Sequence, residues 1–165
     1  MTTVDTPAGK VIRDTDGVRL EYVRSYPDPI ARVWRALTDS NELGVWYGTW
    51  RGDPASGTVE LASLEGGGEY KAVEIVECDR PRRLAVVLPT PYGPWPISFT
   101  LQATDGGTTA TFVHSLSEPY DPGSIGPGWH YYLDRLDATL RGGTMPELED
   151  WPSYEPLGAQ YELPG

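Results

Sequence analysis

The feature that most constrains the fold is a change of hydrophobic period along the chain. Between residues 50 and 115, β-forming residues alternate with polar ones in short runs bounded by Gly, Pro and Asp. This pattern predicts strands at 58–64, 69–78, 84–88, 97–103 and 108–115. Residues 18–26 form another candidate strand, and 49–53 could pair as one more. Because the connections are short, successive strands are expected to form an antiparallel meander.

Helix signals frame this region on both sides. Asp28 suits an N-cap and Pro29 a first helical position, and both precede an apolar stripe at helical spacing: Ile30, Val33, Trp34 and Leu37. Asp39 or Ser40 can cap a second short helix. The longest helix is predicted at 128–141, with an apolar stripe that begins at Trp129 and a Gly142-Gly143 stop.

The order of these elements predicts an α+β fold. A curved antiparallel sheet of about seven strands must cover its apolar face. Only the last helix, about 20 Å long at roughly 1.5 Å per residue, can cross that sheet, and the space between them is the candidate pocket. The predicted organisation is a lead-in at 1–17, one domain at 18–143 and a tail at 144–165. The aromatic residues of the tail either wrap the domain or hang loose: Trp151, Tyr154 and Tyr161.

Charge and composition argue against several classes of partner. The formal net charge is −11, which disfavours nucleic acids and anionic membrane surfaces. No apolar run approaches the length of a membrane span and no signal peptide is recognisable, so a cytoplasmic location is expected. Arg far outnumbers Lys, which suggests a bacterial source. Cys78, the only cysteine, is expected to be a small buried residue.

Four motifs, in order, resemble one protein family. They are the opening DPIARVWRALTD at 28–39 with Trp46, VECDRPRRL at 76–84, TFVHS at 111–115, and Gly128-Trp129 followed by Tyr132, Leu133 and Leu136. Together they resemble the SRPBCC/START-like superfamily, in the branch named for the activator of heat-shock-protein-90 ATPase. The resemblance covers about residues 18–143. It implies a helix-grip (START/Bet v-like) fold with a pocket between the sheet and the C-terminal helix, and family members that bind or transform apolar molecules.

The candidate ligand-binding residues are mostly aromatic: Trp34, Trp46, Tyr70, Trp95, Phe112, His114, Trp129 and Leu133. His114 and Glu74 are the weak catalytic candidates, since a histidine or an inward carboxylate could act as a general base. His130 lies off the helix stripe and is expected to be exposed, and strand residues Glu69, Glu74 and Arg24 are expected on the solvent face. No metal or cofactor is predicted, because the two histidines lack Cys or carboxylate ligands at suitable spacing.

Three functions remain open at this point. The first is binding of a small hydrophobic or aromatic ligand, with Trp and Tyr as pocket walls. The second is an enzyme of the cyclase, dehydratase or hydrolase type acting on a polyketide- or lipid-like carbonyl compound. The third is a stress-associated or chaperone-linked interaction protein. The expected partner is a small apolar molecule, and a homodimer stays open. The loops at 89–96 and 119–128, which carry Tyr92, Trp95 and Tyr120, are candidate rims of the pocket.

Overall fold

The computed structural model describes residue 4 and residues 6–64 and 67–163, and shows one eight-stranded antiparallel sheet. The strands run in the spatial order β1-β2-β8-β7-β6-β5-β4-β3. Their bounds are β1 Lys10–Asp14, β2 Gly17–Tyr26, β3 Gly48–Arg51, β4 Thr58–Ser63, β5 Lys71–Asp79, β6 Arg83–Thr90, β7 Gly93–Thr104 and β8 Gly107–Ser115. The predicted α+β fold is confirmed, with one strand more than expected. That strand is β1, which pairs with β2 inside the predicted lead-in.

Two short helices and one long helix pack on the sheet. They are α1 Ile30–Thr38, α2 Ser40–Trp46 and α3 Pro122–Arg141, and a one-turn helix α4 Trp151–Tyr154 lies between the 3-10 turns Leu148–Asp150 and Glu155–Gln160. Among the described residues, no helix is long and apolar enough to cross a membrane. The expected stripe of α3 does face the sheet, because Trp129, Leu133 and Leu136 are buried in the common core.

The start of α1 differs from the prediction. Pro29, in extended conformation, occupies the cap position, and Asp28 does not cap the helix. The carbonyl of Asp28 instead accepts a hydrogen bond of 2.8 Å from the Thr108 hydroxyl on β8, which holds this segment against the sheet. The second prediction is confirmed, because the Asp39 side chain accepts hydrogen bonds from the backbone N–H groups of Asn41 and Glu42.

Both predicted Pro-rich loops are more regular than their composition suggests. Strands β6 and β7 continue through residues 89–96 as a tight hairpin, since proline removes a donor but keeps an extended-compatible φ. Helix α3 begins at Pro122 and runs through Pro127, so much of the second loop is helical. Tertiary contacts hold that first part of the helix: the Tyr22 hydroxyl donates to the Gly126 carbonyl at 2.7 Å, and the Tyr161 ring lies against Gly126.

The connection between β4 and β5, which contains Gly66, Gly67 and Gly68, is described only in part. Gly66 lies outside the described residues, and Gly67 and Gly68 have φ of 69° and 85°. A side chain would be strained at those angles, so glycine suits this connection between β4 and β5.

Candidate functional site

The main feature of the interior is an apolar cavity of about 840 Å³. It lies under α1 and α2, against the inner face of β4 to β7, and α3 contributes only Trp129. The space therefore sits chiefly beneath the two short helices, whereas the sequence placed it beneath the long helix. Apolar residues supply most of the wall: Ala31, Trp34, Leu37, Leu43, Trp46, Tyr47, Trp50, Val59, Leu61, Val73, Ile75, Leu84, Val86, Leu88, Ile97, Phe99 and Trp129.

Strand alternation and one β-bulge decide which side chains face the cavity. Val73 and Ile75 point inward on β5, as expected for residues two apart. The register then shifts between Ile75 and Glu77, so that Val76 is the extra residue. After this shift Cys78, opposite Leu84, lines the cavity and Glu77 does not. The expectation that Cys78 is buried is wrong, because the residue is exposed and lies at the mouth of the cavity.

Three of the tryptophans in the wall are fixed by hydrogen bonds from their indole N–H groups. Trp46 donates to the Ala36 carbonyl at 2.9 Å and Trp50 to the Thr38 carbonyl at 2.8 Å. Trp129 donates to Nδ1 of His114 at 3.0 Å. The Nε1 atom of Trp34 is buried without a hydrogen-bond partner among the described residues. These bonds hold the large rings in place, so the walls of the cavity are preorganised.

His114 lies behind the wall and supports it. The ring is 1% exposed, and burial lowers its pKa to about 4. Because Nδ1 accepts the Trp129 N–H, the neutral ring carries its proton on Nε2. The His114 ring also contacts the Trp95 ring, with centroids 4.6 Å apart. His114 therefore fixes the orientation of the Trp129 ring by accepting its N–H.

A second, smaller cavity of about 280 Å³ adjoins the first. Both share the same four wall residues: Tyr47, Leu61, Val73 and Leu88. The β6–β7 hairpin, with Tyr92 and Trp95 stacked at 6.5 Å, forms its outer side. The two cavities are therefore adjacent compartments separated by shared side chains.

The predicted binding residues fall into three groups. Trp34, Trp46 and Trp129 line the main cavity, and Trp95 lines the smaller one. Phe112, His114 and Leu133 are buried outside both walls: Phe112 packs on the Trp129 ring with centroids 4.6 Å apart, and Leu133 belongs to the core. Tyr70 lies outside both as well, with the Arg51 guanidinium 3.8 Å from its ring centroid. Glu74 is exposed and lines neither cavity.

Sequence reasoning missed Tyr47, Trp50 and the aliphatic residues of the strands. The alternating pattern contained the signal for Leu84, Val86 and Leu88, since every second residue of a strand shares one face. It contained no signal for Tyr47, which follows α2 in an irregular conformation. The Tyr47 ring reaches Trp129 only through the tertiary fold, at a centroid distance of 6.2 Å.

A buried polar network occupies the other side of α3. Arg24 on β2 donates from Nη1 to Asp134 at 2.9 Å and to Asp137 at 2.6 Å. The prediction that Arg24 faces solvent is wrong, since the residue is 6% exposed. Burial alone would lower the pKa of its guanidinium, but the charges of Asp137 and Asp134 outweigh burial and raise that pKa. Arg24 therefore stays charged inside the protein.

The chain segments at both ends of the fold join this network through Asp134. Tyr154 in the tail donates to Asp134 at 2.6 Å, and Thr6 donates to it at 2.7 Å. Because the Thr6 hydroxyl gives its proton to Asp134, Nε2 of His130 must donate to Thr6, at 2.7 Å. The prediction that His130 is exposed is wrong, because the tail and Thr6 cover that side of α3. Burial lowers the pKa of His130.

The curved antiparallel sheet, the long helix across it and the internal cavity define a helix-grip α+β protein. The family model of the activator of Hsp90 ATPase homolog 1-like proteins matches residues 28–141. The chain belongs to this family, as the four motifs indicated. A search of curated proteins finds no match.

Solved structures agree with this fold. CalU16 from Micromonospora echinospora is 24% identical, with a TM-score of 0.74 and 93% of each chain covered. EF2215 from Enterococcus faecalis, a conserved protein of unknown function, is 18% identical, with a TM-score of 0.73 over 92% of this chain and 88% of its own. DynU16, a protein of the dynemicin biosynthetic locus, is 22% identical, with a TM-score of 0.65 over 77% of this chain and 48% of its own. Family and neighbours are compatible with ligand binding.

Proposed function

We propose that this protein binds a small hydrophobic or aromatic molecule in the main cavity. The observation that carries the proposal is the cavity itself: about 840 Å³, within the range of small-molecule sites, with walls that are chiefly aromatic and aliphatic. Hydrogen bonds from the indole N–H groups to backbone carbonyls fix two rings of this wall, those of Trp46 and Trp50. An apolar ligand would remove this surface from water without reorganising the wall.

Two observations favour binding over catalysis. Neither of the catalytic candidates, His114 and Glu74, lines the cavity. The carboxylate of Asp39, which does line it, is already engaged as the cap of α2. A general base needs a free polar atom within hydrogen-bond reach of the substrate, and neither candidate offers one in this cavity. The place of DynU16 in a biosynthetic locus supports testing products of biosynthesis as ligands.

The test is a thermal-shift and tryptophan-fluorescence screen against fatty acids, polyketides and flavonoids, followed by calorimetry on any hit. Val86 and Val87 on β6 provide a matched pair of variants, because Val86 lines the cavity and its neighbour points to the opposite face. Val86→Phe should place a ring inside the cavity and weaken binding, and Val87→Phe should leave binding unchanged. Equal loss of binding in both variants, or a folded wild-type protein that binds no member of the panel, would contradict the proposal.

A further inference from the structure

One arginine at the cavity mouth has no ion-pair partner among the described residues. The exposed wall residues define this mouth: Ala31, Arg35, Asp39, Pro54, Cys78 and Arg80. Arg35 forms an ion pair with Glu42 at 2.6 Å, and the other oxygen of that carboxylate pairs with Arg32 at 2.5 Å. Asp39 accepts two backbone hydrogen bonds at the start of α2. Arg80 forms no ion pair, hydrogen bond or ring contact with any residue that the structure describes.

The carboxylates nearest to Arg80 in sequence are committed to other arginines. Asp79 pairs with Arg82 at 3.4 Å, and Glu77 pairs with Arg83 at 2.8 Å. Among the described cations without an ion pair, Arg80 is the one that belongs to the wall of the main cavity. Its position at the rim of an apolar cavity suggests that its partner arrives with the ligand.

The chemistry of a free guanidinium identifies that partner. Its planar array of donors matches a carboxylate, which can accept two parallel N–H bonds. A ligand that fits both features has an apolar body and an acidic end. We propose, resting on the proposed function, that the cavity takes an amphiphilic carboxylic acid, with its apolar body between the tryptophans and its carboxylate on Arg80.

The net charge of −11 does not prevent this pairing. Charges on distant parts of the surface are screened beyond roughly 8 Å at about 0.15 M salt, whereas a direct contact at the mouth is screened less. The net charge is expected to slow the association of an anion, and Arg80 is expected to hold the anion once it arrives.

The experiment compares two probes of similar size, 2-naphthoate and 2-naphthalenemethanol, by calorimetry at neutral pH. The wild-type protein should bind the acid about fivefold more tightly than the alcohol, which corresponds to about 1 kcal/mol for a partly exposed charge pair. Arg80→Gln should remove that preference and leave the affinity for the alcohol unchanged. Arg80→Lys should keep part of the preference, and raising the salt concentration should reduce it.

Two control variants test whether the preference for the acid depends on Arg80 in particular. Arg82 is exposed, paired with Asp79 and absent from the wall, so Arg82→Gln should leave the preference intact. Lys71 lines the smaller cavity beside Glu69, so Lys71→Gln should also leave it intact. A preference that survives Arg80→Gln, or that disappears in either control, would overturn the assignment to Arg80. Equal binding of both probes by the wild-type protein would overturn the acid specificity while leaving the cavity proposal standing, and binding of neither would count against that proposal.

Discussion

Helix α3 contributes to two buried regions of opposite character. On one side, Trp129 borders a cavity that is apolar and unfilled, and its indole N–H is satisfied within the protein. On the other side, Asp134 belongs to a network that is densely packed and charged. In the network, Nε and Nη2 of Arg24 and Nδ1 of His130 have no described hydrogen-bond partner. Hydrogen bonds from three wall tryptophans hold the shape of the cavity, whereas charge compensation around Arg24 holds the network.

This difference predicts where the fold is sensitive to mutation. A buried charge that loses its partner is strongly destabilising, since neither water nor protein then compensates it. A wall residue beside an unfilled cavity can change size at lower cost, because space already exists next to it. The polar network should therefore control stability, and the cavity should control binding.

The largest effect is expected at Asp134. Asp134→Ala leaves the Arg24 charge with a single carboxylate and removes the acceptor of Tyr154 and Thr6, so the free energy of unfolding should fall by about 3–5 kcal/mol. Urea denaturation measures this loss. Asp79→Asn is the matched control, since it breaks the exposed pair with Arg82 and should change stability by less than about 0.5 kcal/mol. Similar losses in both variants would contradict the central role of the network.

The second effect depends on pH and concerns His114. Its pKa is about 4 in the folded protein against 6.5 as the ordinary value, so the unfolded state binds more protons between these limits. Stability should therefore be lost as pH falls from about 6.5 toward 4, by about 2–3 kcal/mol from this residue. The measurement is the unfolding free energy of wild-type protein and His114→Gln across that range. Parallel curves for the two proteins would show that His114 does not titrate as expected.

Much of the fold could be predicted from the sequence, because it rests on local patterns. The alternation in the strands and the helical stripe from Trp129 are periodic signals that tertiary contacts reinforce. The position of the cavity could not be predicted in the same way. It depends on the bulge at Val76, which places Cys78 on the face of β5 that borders the cavity, and on the packing of Tyr47 against Trp129. The burial of Arg24 could not be predicted from the local sequence either, because its two carboxylate partners lie 110 and 113 residues further along the chain.

A smaller effect on stability is expected when a larger side chain enters the cavity. Val86→Phe adds volume where the wall faces open space, so the free energy of unfolding should change by less than about 1 kcal/mol. Leu133→Ala, which removes a core side chain that lines neither cavity, should cost about 2–5 kcal/mol. Urea denaturation of both variants tests the contrast. If Val86→Phe were as destabilising as Leu133→Ala, the main cavity would have no room beside Val86 in solution.

The smallest perturbation uses Cys78 as a reporter and leaves the fold unchanged. This single cysteine is exposed and belongs to the cavity mouth beside Arg80. A ligand seated beneath α1 and α2 should cover its thiol and slow the reaction with Ellman's reagent, because the thiolate must be accessible to attack. With 2-naphthoate at a concentration that saturates calorimetric binding to the wild-type protein, we expect a several-fold lower rate in the wild-type protein and weaker protection in Val86→Phe. An unchanged rate in wild-type protein that demonstrably binds the probe would place the bound molecule away from this mouth. Equal protection in Val86→Phe would indicate contact with the surface outside the cavity.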